Sequence, residues 1–182
     1  MPRKTMLILL LTILYALFSC SKPQKEVPLL PGQEIPSCTV QLRNGEQLKT
    51  ESLKGKPTIV VFFNVINPHS RHVLEEMQRL YNHWGTTVNF LAVASSGRSE
   101  DINSVWNTLH YTLPVTTEHE ADLCSRFCGT KDISVPQVFC VSEEGLVECH
   151  YDKEQLMDIH IVETDFVIPQ IYKIIEKECK TN

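Results

Sequence analysis

The sequence predicts an α/β domain: a mixed central sheet with helices on both faces and an N-terminal β-hairpin extension. Three observations carry that prediction. Thr58 to Phe63 is an unbroken β-branched and aromatic run, as a strand buried on both faces requires. Apolar stripes at three- and four-residue steps alternate with such strands, which implies parallel strands joined by right-handed crossovers. Turn signals at Asn44-Gly45 and Glu144-Gly145 place antiparallel hairpins near either end.

Taken in order, Cys38 to Leu42 and Gln47 to Lys49 form the first hairpin, and Gly55 and Pro57 punctuate the approach to the Thr58–Phe63 strand. A helix follows from Pro68 to about Trp84. Val73, Leu74, Met77, Leu80, Tyr81 and Trp84 share one stripe, and Gly85 ends it. Val88 to Ala94 is a second buried strand. Ser99 is placed to cap a helix from Glu100 to about His110, whose apolar face is Ile102, Val105, Trp106 and Leu109. An extended piece at Leu113 to Val115 precedes a helix around Glu120 to Cys128. Gln137 to Val141 and Leu146 to His150 flank the second hairpin turn, and a last helix covers about Thr164 to Cys179.

The N-terminus reads as a secretion signal. Arg3 and Lys4 precede an apolar run of 13 residues, Met6 to Phe18, too short to span a bilayer comfortably. Leu17-Phe18-Ser19-Cys20 resembles the lipobox of bacterial lipoproteins, which makes Cys20 the lipidated first residue of the mature chain and the membrane its partner. An ordinary cleaved signal with an incidental Cys20 is the alternative. Ser21, rather than Asp, follows the cysteine; by the lipoprotein sorting rule the anchor is then in the outer more than the inner membrane, on the periplasmic face. The expected organisation is 1–19 signal peptide, 20–36 lipidated cysteine and Pro-rich linker, and 37–182 one globular domain.

Without Arg3 and Lys4, 15 basic residues face 22 acidic ones, a net charge of −7. No basic patch points to nucleic acid. Six cysteines remain beside Cys20: Cys38, Cys124, Cys128, Cys140, Cys149 and Cys179. Export permits disulfides, but six cysteines allow 15 full pairings and the spacing selects none; small buried thiols are the plainer reading.

The stretch Val60-Val61-Phe62-Phe63-Asn64-Val65-Ile66-Asn67-Pro68-His69-Ser70-Arg71 runs a buried strand straight into a helix start. Asn67 is a good N-cap, and Pro68 at the first helical position wastes no hydrogen bond. Together with Leu53-Lys54-Gly55-Lys56-Pro57 and Ile133-Ser134-Val135-Pro136-Gln137-Val138-Phe139, this segment resembles the thioredoxin-like exported oxidoreductases of the TlpA-like and redoxin groups, over residues 31 to 178. The resemblance implies a thioredoxin-like fold, a cis peptide bond before Pro136, and a groove where Val135 offers backbone hydrogen bonds to an extended peptide. It also sets the two Cys-x-x-Cys positions at Asn67 and Ser70, in a motif reading Asn67-Pro68-His69-Ser70. Neither side chain performs thiol–disulfide exchange, which needs a thiolate and a sulfur leaving group. Ile66 stands where an aromatic residue often precedes the first cysteine, and no cysteine sits where the family's peroxidases need one.

Other residues offer weaker chemistry. Cys124 and Cys128 share a helix face at i, i+4; a relocated redox pair and plain packing are both open, although that spacing suits an unstrained disulfide poorly. Cys140 and Cys149 oppose each other, as a structural disulfide requires, if Glu144-Gly145 is a two-residue turn. His69 and His72 have the spacing of two metal ligands but no evident third, so neither a metal nor a cofactor is expected. Nor does His69 beside Ser70 have the orienting group of a hydrolase. The sequence-level expectation is a membrane-tethered, non-catalytic protein. It binds an extended exported polypeptide or small ligand between Asn67–Arg71 and Val135–Pro136, using free helix N–H groups, Arg71 and unpaired Val135 backbone groups. The competing function is a thiol–disulfide oxidoreductase using Cys124 and Cys128.

Overall fold

The computed structural model describes residues 27–117 and 120–158. Cys20, the expected signal peptide, Cys179 and the expected C-terminal helix lie outside them.

Two strands, β1 (Thr39–Gln41) and β2 (Gln47–Lys49), form the N-terminal hairpin. A short 3-10 turn, Thr50–Leu53, leads to β3 (Thr58–Asn64). Then follow α1 (Pro68–Trp84), β4 (Asn89–Ser96), α2 (Ser99–Thr108), α3 (Ala121–Cys128), β5 (Gln137–Val141), β6 (Val147–Tyr151) and α4 (Lys153–Asp158). The main sheet has the order β4-β3-β5-β6, with β3 and β4 parallel and the other pairs antiparallel. Bridges Ala92 to Val115 and Leu42 to Thr116 link β4 to the N-terminal hairpin through the extended piece after α2.

β3 is buried along nearly its whole length because both faces are covered. Ile59, Val61 and Phe63 meet Leu74, Met77 and Leu80 of α1 and Ile102 and Trp106 of α2. Val60 and Phe62 point to the opposite face, against Leu123 and Phe127 of α3 and Ile35 and Val40 of the N-terminal segment. This two-sided burial is the physical meaning of the run without alternation.

Two expectations are corrected and two are refined. Residues 29–36 are not a free linker. Leu29 N–H bonds to the Phe127 carbonyl, and Gly32 and Val147 N–H groups bond to Val147 and Gln33 carbonyls. Ile35 is buried, and its N–H reaches the Gly145 carbonyl. Pro31 and Gly32 make a tight turn closed by the Gln33 N–H on the Leu30 carbonyl, and the Gly32 and Ile35 N–H groups reach the β5–β6 hairpin, a docking that composition did not show.

Ser99 is not a cap. Arg98 occupies that position without a side-chain cap bond, and Ser99 opens the helix.

Gly85 ends α1 as expected, but in right-handed geometry, with φ −62°. Its requirement is space: a Cβ would lie 2.6 Å from the Tyr81 carbonyl oxygen and 2.8 Å from its ring. The left-handed stop occurs at Gly129 instead, with φ 72°.

Finally, the β5–β6 ladder shifts register between Cys140 and Val141. Cys140 and Cys149 nevertheless remain direct partners, as do Phe139 and His150.

Candidate functional site

The carboxyl end of β3 delivers the chain to the start of α1, where three short-range bonds fix the turn. Asn64 Oδ1 accepts from Ile66 N–H at 3.0 Å, the Asn64 carbonyl accepts from Asn67 N–H at 3.0 Å, and Ser70 Oγ accepts from Asn64 N–H at 3.3 Å. Ser70 is thereby sealed inside, at 0% exposure. A buried hydroxyl needs a partner, and the end of β3 supplies it.

Asn67 caps α1. Its Oδ1 accepts from His69 N–H at 2.9 Å and Ser70 N–H at 3.2 Å, while its own carbonyl accepts from Arg71 N–H at 3.2 Å. Pro68 has no N–H. The first-turn donors are therefore all engaged or absent, which corrects the expectation of free N–H groups awaiting a ligand. Asn67 also reaches across the groove: its Nδ2 donates to the Val135 carbonyl at 3.3 Å. Val135 is 7% exposed, and the Val135–Pro136 peptide bond is cis. The expectation that Val135 offers both backbone groups is corrected by the same bond. Its carbonyl already has one partner, whereas no described residue accepts from its N–H.

The rim of this groove is mixed. Ile66 is 79% exposed, and Pro68, His69 and Arg71 are exposed beside it. Behind the loop, Gln137 Nε2 donates to the Ser134 carbonyl at 2.9 Å. That fixes its Oε1 as acceptor for His150 Nε2, also at 2.9 Å. His150 stacks on Phe139 at 4.1 Å, and burial lowers its pKa from the ordinary value.

The cysteines are dispersed. All five described ones, Cys38, Cys124, Cys128, Cys140 and Cys149, are free thiols. Cys124 and Cys128 share a face of α3 as predicted, but both are buried in the core beside Phe127. Burial pushes the Cys124 thiol up to about 12 and raises Cys128 further, which opposes thiolate chemistry. Cys140 and Cys149 are brought together across β5 and β6. His72 lies 3.9 Å from Glu75, and no cluster of metal-ligating side chains occurs among the described residues. A separate cavity of about 300 Å³ lies between the β1–β2 turn and residues 111–115, lined by Arg43, Tyr81, Trp106 and Tyr111 among others.

A β-strand feeding a capped helix, set against a loop with a cis-proline, on a mixed sheet covered on both faces, defines a thioredoxin-like protein. The chain belongs to the AhpC/TSA family, which it matches over residues 31–150. Among solved structures it is similar to a Chlorobium tepidum protein described as a DsbE-type thiol:disulfide interchange protein. The two share 14% identity with a TM-score of 0.69, over 81% of this chain and 99% of that one. It is similar as well to the thioredoxin domain of a Bacteroides vulgatus thiol-disulfide oxidoreductase, at 18% identity and TM-score 0.60, over 71% and 94%. A secreted Mycobacterium tuberculosis disulfide oxidoreductase matches at 14% identity and TM-score 0.57, over 64% and 84%. No curated protein matches the chain.

Proposed function

We propose that this chain is an exported, lipid-anchored member of its family, held on the periplasmic face of a bacterial membrane through Cys20. In this reading it has exchanged the thiol pair of the helix start for a non-covalent binding surface. The observation that carries it is the set of three hydrogen bonds made by the Asn67 side chain. A residue at the attacking position of a disulfide exchanger has to be free to react. Asn67 is instead committed through both side-chain atoms, to the helix N–H groups and to the Val135 carbonyl. Ser70, at the second position, has no sulfur and no access to solvent.

The ligand class follows from what is left over. With the first-turn N–H groups used, a small anion finds no backbone donors there. An extended polypeptide finds an exposed apolar contact at Ile66, a cation at Arg71 and the N–H of Val135, which suits one step of strand addition. The names of the structural relatives support export as well as a redox ancestry for the fold.

Three measurements test the reading. Mass spectrometry of the mature N-terminus decides the lipid anchor; an unmodified chain starting elsewhere removes that part. In an insulin-reduction assay the wild type is expected to be inactive. Titrating extended peptides into the labelled chain is expected to shift amide resonances of Ile66 to Arg71 and Val135 to Gln137. Shifts confined to other regions, or none at millimolar peptide, remove the groove from consideration.

A further inference from the structure

The thiol pair on the β5–β6 hairpin has the arrangement that the α3 pair lacks. Cys140 and Cys149 are direct register partners, so their side chains emerge on the same face of the sheet. Directly opposed residues in an antiparallel ladder have Cα atoms about 4.5 or 5.5 Å apart, and both separations lie inside the range a disulfide spans. The two positions differ in access. Cys140, on the inner strand, is 1% exposed; Cys149, on the strand at the end of the described sheet, is half-buried.

They differ also in electrostatic setting: the neighbouring Cys140 thiol and backbone N–H and the Tyr151 hydroxyl, two residues along the same face, favour the Cys149 thiolate. The Cys140 hydrogen bond leads in holding Cys149 below its ordinary value, against burial and the Glu148 carboxylate. Cys140, as donor and by burial, is held protonated.

We propose that Cys149 and Cys140 form a reactive dithiol that closes to a disulfide across the β5–β6 hairpin on meeting a low-molecular-weight disulfide. The Cys149 thiolate attacks one sulfur of the small disulfide. The S–S bond breaks, one small thiol leaves, and a mixed disulfide remains on Cys149. Cys140 then attacks the Cys149 sulfur, giving up its proton as the second small thiol departs. The small disulfide is reduced to two thiols, and the protein loses two hydrogens. This chemistry is independent of the helix start and stands whether or not the groove binds peptide.

The test exposes the reduced full chain to oxidised glutathione, quenches with acid and iodoacetamide, and maps each cysteine by peptide mass spectrometry. The expected wild-type product is a peptide pair joined through Cys140 and Cys149. Cys140→Ala is expected to accumulate one glutathione on Cys149, and Cys149→Ala to leave Cys140 unmodified. Wild-type mapping requires no variant to fold. Free thiols at both positions after exposure, or Cys149 joined to Cys38 or Cys179, overturn the proposal. So does a glutathione adduct that forms on Cys140 as readily as on Cys149.

Discussion

Asn67 Nδ2 donates to the carbonyl of Val135, so one side chain both starts α1 and ties it to the cis-proline loop 68 residues away. The oxygen of the same amide caps two helix N–H groups. These two duties separate by substitution. Asn67→Ala loses the cap, a term of about 1 kcal/mol, and one neutral hydrogen bond of about the same size. Urea denaturation is expected to show a loss of about 1–3 kcal/mol. Asn67→Asp keeps the acceptor and gains from the helix dipole, but loses the donor and sets a carboxylate against a carbonyl. Hydrogen exchange in Asn67→Asp is therefore expected to leave His69 and Ser70 protected while residues 133–137 speed up. An Ala variant as stable as wild type would remove this account of the turn.

The buried pair on α3 gives a prediction opposite to the one for the hairpin. Cys124 and Cys128 sit in the core with thiols raised by burial, so almost none of either is thiolate near neutral pH. Brief treatment of the native chain with iodoacetamide at pH 8 is expected to alkylate Cys149 well before either of them. Denaturant should abolish the difference. Alkylation of Cys124 in the native chain as fast as Cys149 would reopen the redox reading of α3.

Most of what fixes the fold was legible because it is local or periodic. The unbroken run of β3, the stripe of α1 and the Asn67 cap all follow from spacing along one or two elements, whereas the Cys140–Cys149 opposition rests on a register shift between Cys140 and Val141 that offsets a longer turn. The cis bond before Pro136 came through family resemblance, since an isolated Val-Pro reads as trans as easily as cis. What stayed hidden depends on contacts distant in sequence. Proline content marks residues 29–36 as irregular but does not show the hairpin edge they dock on. Val135 looks free until Asn67 is placed opposite it. Gln78 is polar, so an apolar stripe leaves it out, yet it lies inside.

Gln78 is buried because it replaces missing secondary structure. Its Oε1 accepts from Thr112 N–H at 2.8 Å and Leu113 N–H at 2.9 Å, while its Nε2 donates to Asn82 Oδ1 and Thr112 Oγ1. Gln78→Leu leaves both backbone donors without their acceptor. Thr112 is exposed and can turn to water, whereas Leu113 is buried and cannot. The expected loss is about 1–3 kcal/mol, the desolvation cost of one buried donor. Gln78→Glu keeps the acceptor and is expected to fall between. Equal urea midpoints for Leu and wild type would show that the 112–113 segment finds another partner.

His150 makes stability depend on pH with a definite sign. Burial against Phe139 lowers its folded pKa below the ordinary 6.5, and Asp152 opposes only in part. As pH falls, the unfolded chain therefore takes up this proton before the native one does, and stability drops with it. The contribution is fully present above about 6.5 and is lost as pH falls from there through the folded pKa. The neutral ring donates from Nε2 to Gln137 Oε1, and Gln137 in turn holds the Ser134 carbonyl; protonation at Nδ1 leaves both bonds in place, so the penalty is the burial of the charge. Urea midpoints at pH 7.5, 6.5 and 5.5 check this by comparison of wild type with His150→Gln. The wild-type midpoint is expected to fall more steeply below pH 6.5, and the difference between the two curves isolates His150 from the other titrating groups. Parallel curves would show that the stacked ring accepts its proton without penalty.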